Sequence, residues 1–172
     1  RAAPSFRPGR SSARMKQQQP PVPTISRPSD DTIRAYEQTD YFAEDQPPVC
    51  LRIGDAAAVH LAWLDRHAAH SASILTAWNP FGQELARAEN DALQARLQTT
   101  ILHSGLNWLP ARGEDPKGSW QPEPGFCVFD MPPDLLDEWL MLFRQNAAVR
   151  LERGTGCRLV WHPEIARMLA KG

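Results

Sequence analysis

The chain has 172 residues, 42% of them apolar, with six Trp, six Phe and a formal net charge of −1. That is apolar mass enough for one core in one domain, the usual outcome at roughly 100–200 residues. No apolar run approaches the roughly 18 residues of a membrane span, so no membrane partner is expected.

The charge is segregated. Six basic residues and no acid precede Asp30, which leaves thirteen basic residues against twenty acids, a formal −7, for the rest. An acidic body is a poor phosphate-contact surface, so nucleic acid is not the expected partner. The three cysteines, Cys50, Cys127 and Cys157, are far apart and form no CxxC pair. That argues against a disulfide framework and for a reducing, cytoplasmic setting.

Residues 1–28 are basic and rich in Pro, Ser and Gln around "QQQPPVP", a composition that predicts disorder. Met15 within them is a sensible initiator. Residues 29–172 are expected to form a single α+β domain. Ser29 can cap a helix that carries Asp30 and Asp31 in its first turn and turns Ile33, Tyr36 and Tyr41 inward. "VCLRIG" reads as a short strand, followed by a helix from Ala56 to His67. The strand "SILTAW" then leads through "NPFG" into the longest helix, Gln83 to His103. "NWLPARG" and "GFCVFDM" are strand candidates around a loop dense in turn residues. "MPPDLLDEWLMLFRQN" is a helix, with prolines at its entry. "AVRLERGTGCRLVW" is a hairpin about Gly154 to Gly156, and "PEIARMLAKG" is a short peripheral helix. The order predicts a mixed β-sheet of about five to six strands packed with about three to four helices, an α+β sandwich.

Polar residues fall at positions where a core is expected. On the long helix, Glu89 and Asn90 project within about 60° of Leu93, on the inward side. They follow the strand that ends in "TAWNP", and strand ends in such sheets often line crevices, so Asn79, Glu89 and Asn90 can converge. Against this stands a plain reading, in which Glu89 suits a helix start, Asn79-Pro80 opens a turn and the buried amides brace the core. Asn146 fits a left-handed helix C-cap. His60, His67 and His70 read as a solvated helix face rather than a metal site.

The set "AYEQTDY", "TAWNP", "AEN", Trp120-x-x-Glu123 and "FRQNA" resembles an uncharacterised bacterial family known as domain of unknown function 3293. The likeness covers Tyr36 to Trp161 and implies a shared fold and a shared polar set, but no activity. That set is Trp78, Asn79, Glu89, Asn90, Trp120, Glu123, Gln145 and Asn146. Gly125 departs from it, because a small polar residue is expected after Pro124.

Two carboxylates with amides and tryptophans can bind a sugar, a nucleobase or a peptide end. Glu89 and Glu123 can act as acid and base in a hydrolysis where their environments split their pKa values. No nucleophile elbow, phosphate loop or CxxC is present. The expected function is therefore binding of a small polar ligand, with hydrolysis at Glu89 and Glu123 as an open extension and no cofactor or metal assigned. The alternative is a protein-interaction module whose polar set is structural.

Overall fold

The computed structural model describes residues 24–172. Most of the segment expected to be disordered, residues 1–23, lies outside the described residues, as does Met15. The elements in chain order are α1 (Asp30–Gln38), β1 (Asp40–Ala43), β2 (Val49–Leu51), a 3₁₀ turn (Ala57–His60), α2 (Leu61–Arg66) and β3 (Ser71–Leu75). A second 3₁₀ turn (Pro80–Gly82) precedes α3 (Arg87–Ser104), β4 (Trp108–Glu114), β5 (Glu123–Phe129), α4 (Pro133–Leu142), β6 (Ala147–Glu152), β7 (Gly156–Trp161) and α5 (Pro163–Ala170). The α+β class read from the sequence is the class observed. No helix among the described residues is long and apolar enough to cross a membrane.

The strands form one seven-stranded sheet in the order β2-β1-β4-β5-β3-β6-β7. It is larger than the five to six strands expected, and every pairing among the described residues is antiparallel where a mixed sheet was expected. The additional strand is β1. Tyr41 had been placed on the inward side of α1, but α1 stops at Gln38, where the Thr39 hydroxyl donates to Ala35 O at 2.6 Å. The chain then alternates inward and outward across Asp40–Ala43, and Tyr41 points into the core from a strand.

The sheet curls until its edges meet. Gly54 N–H donates to Cys157 O at 2.8 Å, and Cys157 N–H donates to Asp55 O at 2.9 Å, tying the chain after β2 to β7. Gly156 makes this approach possible: at φ +81° it is left-handed, and a Cβ there would lie 2.4 Å from Asp55 O.

Strand alternation divides the core in two. Tyr41, Leu51, Ile74, Cys127 and Val149 pack on one face with Trp63 and Leu64 of α2. Leu75, Val128 and Ala148 pack on the other with Leu97 and Ile101 of α3 and Leu136 and Trp139 of α4. The central strand β3 is buried along its whole length.

The histidines read as a solvated face are different in the fold. His60 is buried beside Asp55 (2.8 Å), and His67 Nε2 lies 2.7 Å from Asp45 Oδ2 with its ring stacked on Phe129. Only His70 of the three is exposed. Trp63 Nε1 and Arg66 Nη2 reach the same Asp45 oxygen at 2.8 and 3.0 Å. His67 first and Trp63 second hold the Asp45 carboxyl well below the usual carboxylate range.

Gly156→Ala should destabilise the fold by more than about 1 kcal/mol, because it adds a steric clash to a strained φ. Urea unfolding, compared with that of Gly154→Ala, where a Cβ meets nothing, checks this.

Candidate functional site

The site is built around the place where the central strand leaves the sheet. β3 is paired by β5 as far as Leu75. Beyond it the backbone of Thr76 to Asn79 runs through the interior without a strand partner, and buried peptide groups without hydrogen bonds are costly. Side-chain amides supply the bonds. Gln94 Oε1 accepts Ala77 N–H at 2.7 Å, and its Nε2 donates to Pro124 O at 2.6 Å. The Thr76 hydroxyl donates to Pro124 O (2.8 Å) and accepts Trp78 N–H (3.0 Å).

Asn79 is left-handed, φ 45° and ψ 69°, a conformation that Asn tolerates better than most residues. Its N–H donates to Asn90 Oδ1 at 2.8 Å, while its own Oδ1 accepts from Asn90 Nδ2 at 2.8 Å and Leu85 N–H at 3.0 Å. The two asparagines therefore clasp each other. Phe81 is left-handed as well, so the chain turns, extends through Gln83, and enters α3 only at Arg87.

Gln145 closes the third side. α4 ends in a Schellman turn, in which Gln145 N–H donates to Leu140 O (3.0 Å) and Arg144 N–H to Met141 O (3.3 Å). Arg144, at φ 52°, takes the left-handed position that had been assigned to Asn146. The turn buries Gln145, whose Nε2 donates to Trp78 O at 3.3 Å and Phe143 O at 3.1 Å.

Against this braced segment lies a cavity of about 290 Å³, at the small end of ligand pockets, which span roughly 300–1,000 Å³. Tyr41, Ile74, Val149 and Leu159 carry the first core face into its wall, and α1 covers it with Thr32, Ala35 and Tyr36. Trp78, Asn79, Trp120, Glu123, Gln145 and Asn146, six of the polar set expected from the sequence, all line it.

Among the described residues, Glu123 is its one formally charged lining residue. It enters from β5 opposite Gly113 of β4, so no side chain faces it across the strand pair. The nearest basic residue in the register, Arg112, is engaged by Glu44 and Glu114 and lies over the Phe42 ring. Burial without a cation pushes the Glu123 carboxyl up to about 7. Burial likewise raises Tyr36 to about 12, against the hydrogen bond from the Asn146 side chain, and moves Tyr41 in the same direction. Both phenols are therefore neutral at physiological pH.

The other two residues of the set lie elsewhere. Asn90 is buried behind Asn79 and borders a second recess, which it shares with Glu84, Arg87 and Arg112. Glu89 is exposed on the first turn of α3 and lines neither cavity. The reason is one step of helical phase: the inward stripe is Asn90, Gln94, Leu97 and Ile101, and Glu89 stands about 100° from its first member. Gln94 was not singled out from the sequence, although its i+4 spacing from Asn90 was a usable signal. Tyr36 and Tyr41 of "AYEQTDY" and Gly113 of the strand "NWLPARG" also line the cavity, and no local pattern marks them as site residues. Gly125 departs from the expected small polar residue for a steric reason, since a Cβ there would lie 2.7 Å from Leu75 O. Among the described residues no group of three or more His, Cys, Asp or Glu is placed to hold a metal ion.

Fold and cavity together define an α+β protein with an aromatic pocket around a lone carboxyl. Residues 75–148 match the family described as "Protein of unknown function (DUF3293)", which assigns this stretch to the family its motifs resemble. Tyr36 and Tyr41 lie before the matched span. No curated protein and no solved structure matches the chain.

Gln94→Leu should cost about 2 kcal/mol or more, because it strands the Ala77 N–H and removes a donor from Pro124 O. Glu89→Gln should stay within about 0.5 kcal/mol of the parent. Chemical denaturation of both variants separates the bracing amides from the exposed acid.

The Glu123 carboxyl gives a second expectation. Its folded value of about 7 lies above the ordinary 4.5, so its favourable share of stability is complete below pH 4.5 and is lost as pH rises towards 7. Glu123→Gln abolishes this loss. The stability of the variant relative to the parent should climb between pH 4.5 and 7 and level off above, as read by urea midpoints across that range.

Proposed function

We propose that this chain binds a small polar ligand in the cavity between α1 and the strand exit at Trp78. One observation carries the reading: Glu123 is half-buried at the cavity wall without a cation or a hydrogen-bond donor from the described residues. A buried, unpaired acid weakens the fold, and such groups cluster at functional sites. Trp78 and Trp120 supply flat apolar surface, while Gln145 and Asn146 supply polar edges. Trp120 is 39% exposed on the β4–β5 loop and stands at the rim. A hydrolysis by paired carboxylates finds no second acid among the described residues of the cavity wall, and the reading offered is one of binding.

The interaction-module alternative keeps one observation of its own: Met141 and Leu142 on α4 and Leu102 on α3 are large apolar side chains left in water. It also claims Asn90 and Gln94, whose amides are occupied by backbone. It does not account for the carboxyl in the cavity.

The test is a melting-temperature screen of the full chain against small metabolites, amines, sugars and nucleosides, repeated with Gly113→Leu. A Cβ at Gly113 meets Thr39 and Tyr41 side chains at ordinary distances of 3.5–3.8 Å, so a Cβ is admitted by the strand, and the rest of a leucine side chain starts from the cavity wall and competes for its space. A ligand at 100 times its Kd should add about 2.7 kcal/mol, several degrees at this size. Shifts seen in the parent should disappear in Gly113→Leu. Shifts that persist unchanged in that variant would refute the cavity as the site.

A further inference from the structure

We infer that the ligand of this cavity is a small organic cation, an amine or amidinium carried on an apolar or aromatic body. The inference rests on the cavity-binding reading above and deepens it.

Charge comes first. Among the described residues, Glu123 is the one formal charge at the wall, and no Lys, Arg or His lines the cavity. The described groups that face the carboxyl can be named. Tyr36 approaches from α1 and Tyr41 from β1, both as neutral phenols, while Gly113 of β4 presents no side chain. Asn146 is bonded to Tyr36, and Gln145 spends its Nε2 on the Trp78 and Phe143 carbonyls. A phosphate, sulfate or carboxylate ligand would therefore meet an acid and no cation. A protonated nitrogen would meet its complement, and the ion pair would replace water that the carboxyl otherwise needs.

Shape and surface agree. Tyr36, Tyr41, Trp78 and Trp120 line one cavity with Glu123. Aromatic faces attract cations through their quadrupole, most strongly where water is excluded, and aromatic side chains around an acid form a general cation cage. At about 290 Å³ the space suits a single ring or a short chain, not a dinucleotide or an oligosaccharide.

Three probes of nearly one shape and different charge make the test: benzylammonium, benzyl alcohol and benzoate. Binding to the full chain is read by tryptophan fluorescence, because Trp78 and Trp120 line the cavity. Benzylammonium should bind at least about tenfold more tightly than benzyl alcohol at pH 8, and benzoate should not bind measurably. The ammonium affinity should rise from pH 5.5 to 7 as the carboxyl ionises, then level off, while the probe itself stays protonated. Glu123→Gln should lose the preference and the pH dependence while keeping its fold, which the denaturation series confirms independently.

The outcomes separate the two claims. Benzoate binding as tightly as benzylammonium overturns the cation inference and leaves the cavity as a ligand site. Benzyl alcohol binding equally at every pH does the same. No response to any probe, in the parent as in Gly113→Leu, overturns both.

Discussion

Everything about the site depends on how the central strand ends. β3 is paired on both sides and covered on both faces, so its chain leaves the sheet inside the protein rather than at the surface. The peptide groups of Ala77, Trp78 and Asn79 must be satisfied there, and the solution is a set of neutral amides: Gln94, Asn90 and Gln145. An amide carries donors and an acceptor in one group and avoids the desolvation cost of a buried charge. Because the amides come from α3 and from the turn after α4, they also fix the rotation of one helix and the exit of the other. The wall of the cavity is held by the same bonds that let the strand stop.

The carboxylates of the fold show what burial does with and without partners. Asp45 collects His67, Trp63 and Arg66 on one oxygen and is held ionised. Glu123 collects none among the described residues and shifts the other way, towards the neutral acid. Folding alone would be served as well by Gln at this position, which offers the same shape without a charge to desolvate. Gly113, opposite, leaves its place at the wall without a side chain, although Thr39 and Tyr41 would admit a Cβ at 3.5–3.8 Å. The local design thus maintains both a void and an unpaired acid, two features that cost stability and that a bound molecule would offset.

Much of this was legible in the sequence, and the failures have physical causes. Ser29 as a helix cap, the hairpin about Gly154 to Gly156 and the apolar stripe of α4 follow from local rules, and the fold keeps them. Six of the eight polar candidates meet at one cavity because the motifs mark chain segments that the sheet brings together. Glu89 falls outside because the inward stripe of α3 runs through the amides Asn90 and Gln94 rather than through Leu93, and buried amides do not register as apolar periodicity; nor does anything local announce the left-handed pair Asn79 and Phe81 that delays the helix to Arg87. β1 was missed because four residues after a helix carry too little alternation to register. The share of the cavity that belongs to Tyr36 and Tyr41 is long-range, set by α1 lying over the curled sheet, and no spacing encodes it.

These distinctions bear on the family motif. In "TAWNP" with "EN", Asn79 and Asn90 bind each other and the backbone, so this pair specifies a turn before it specifies anything else. Asn79 is nevertheless a wall of the cavity, because the turn it holds is the surface on which Trp78 is presented. Turn and wall are one role here. The Trp120-x-x-Glu123 pair differs in kind: Trp120 keeps 39% of its surface exposed and Glu123 has no partner among the described residues, and neither side chain is needed to satisfy the backbone. The candidate residues therefore separate into amides with their bonds filled from within and a rim whose bonds are left open. Chemistry that distinguishes this fold from a merely stable one is to be sought in the second group.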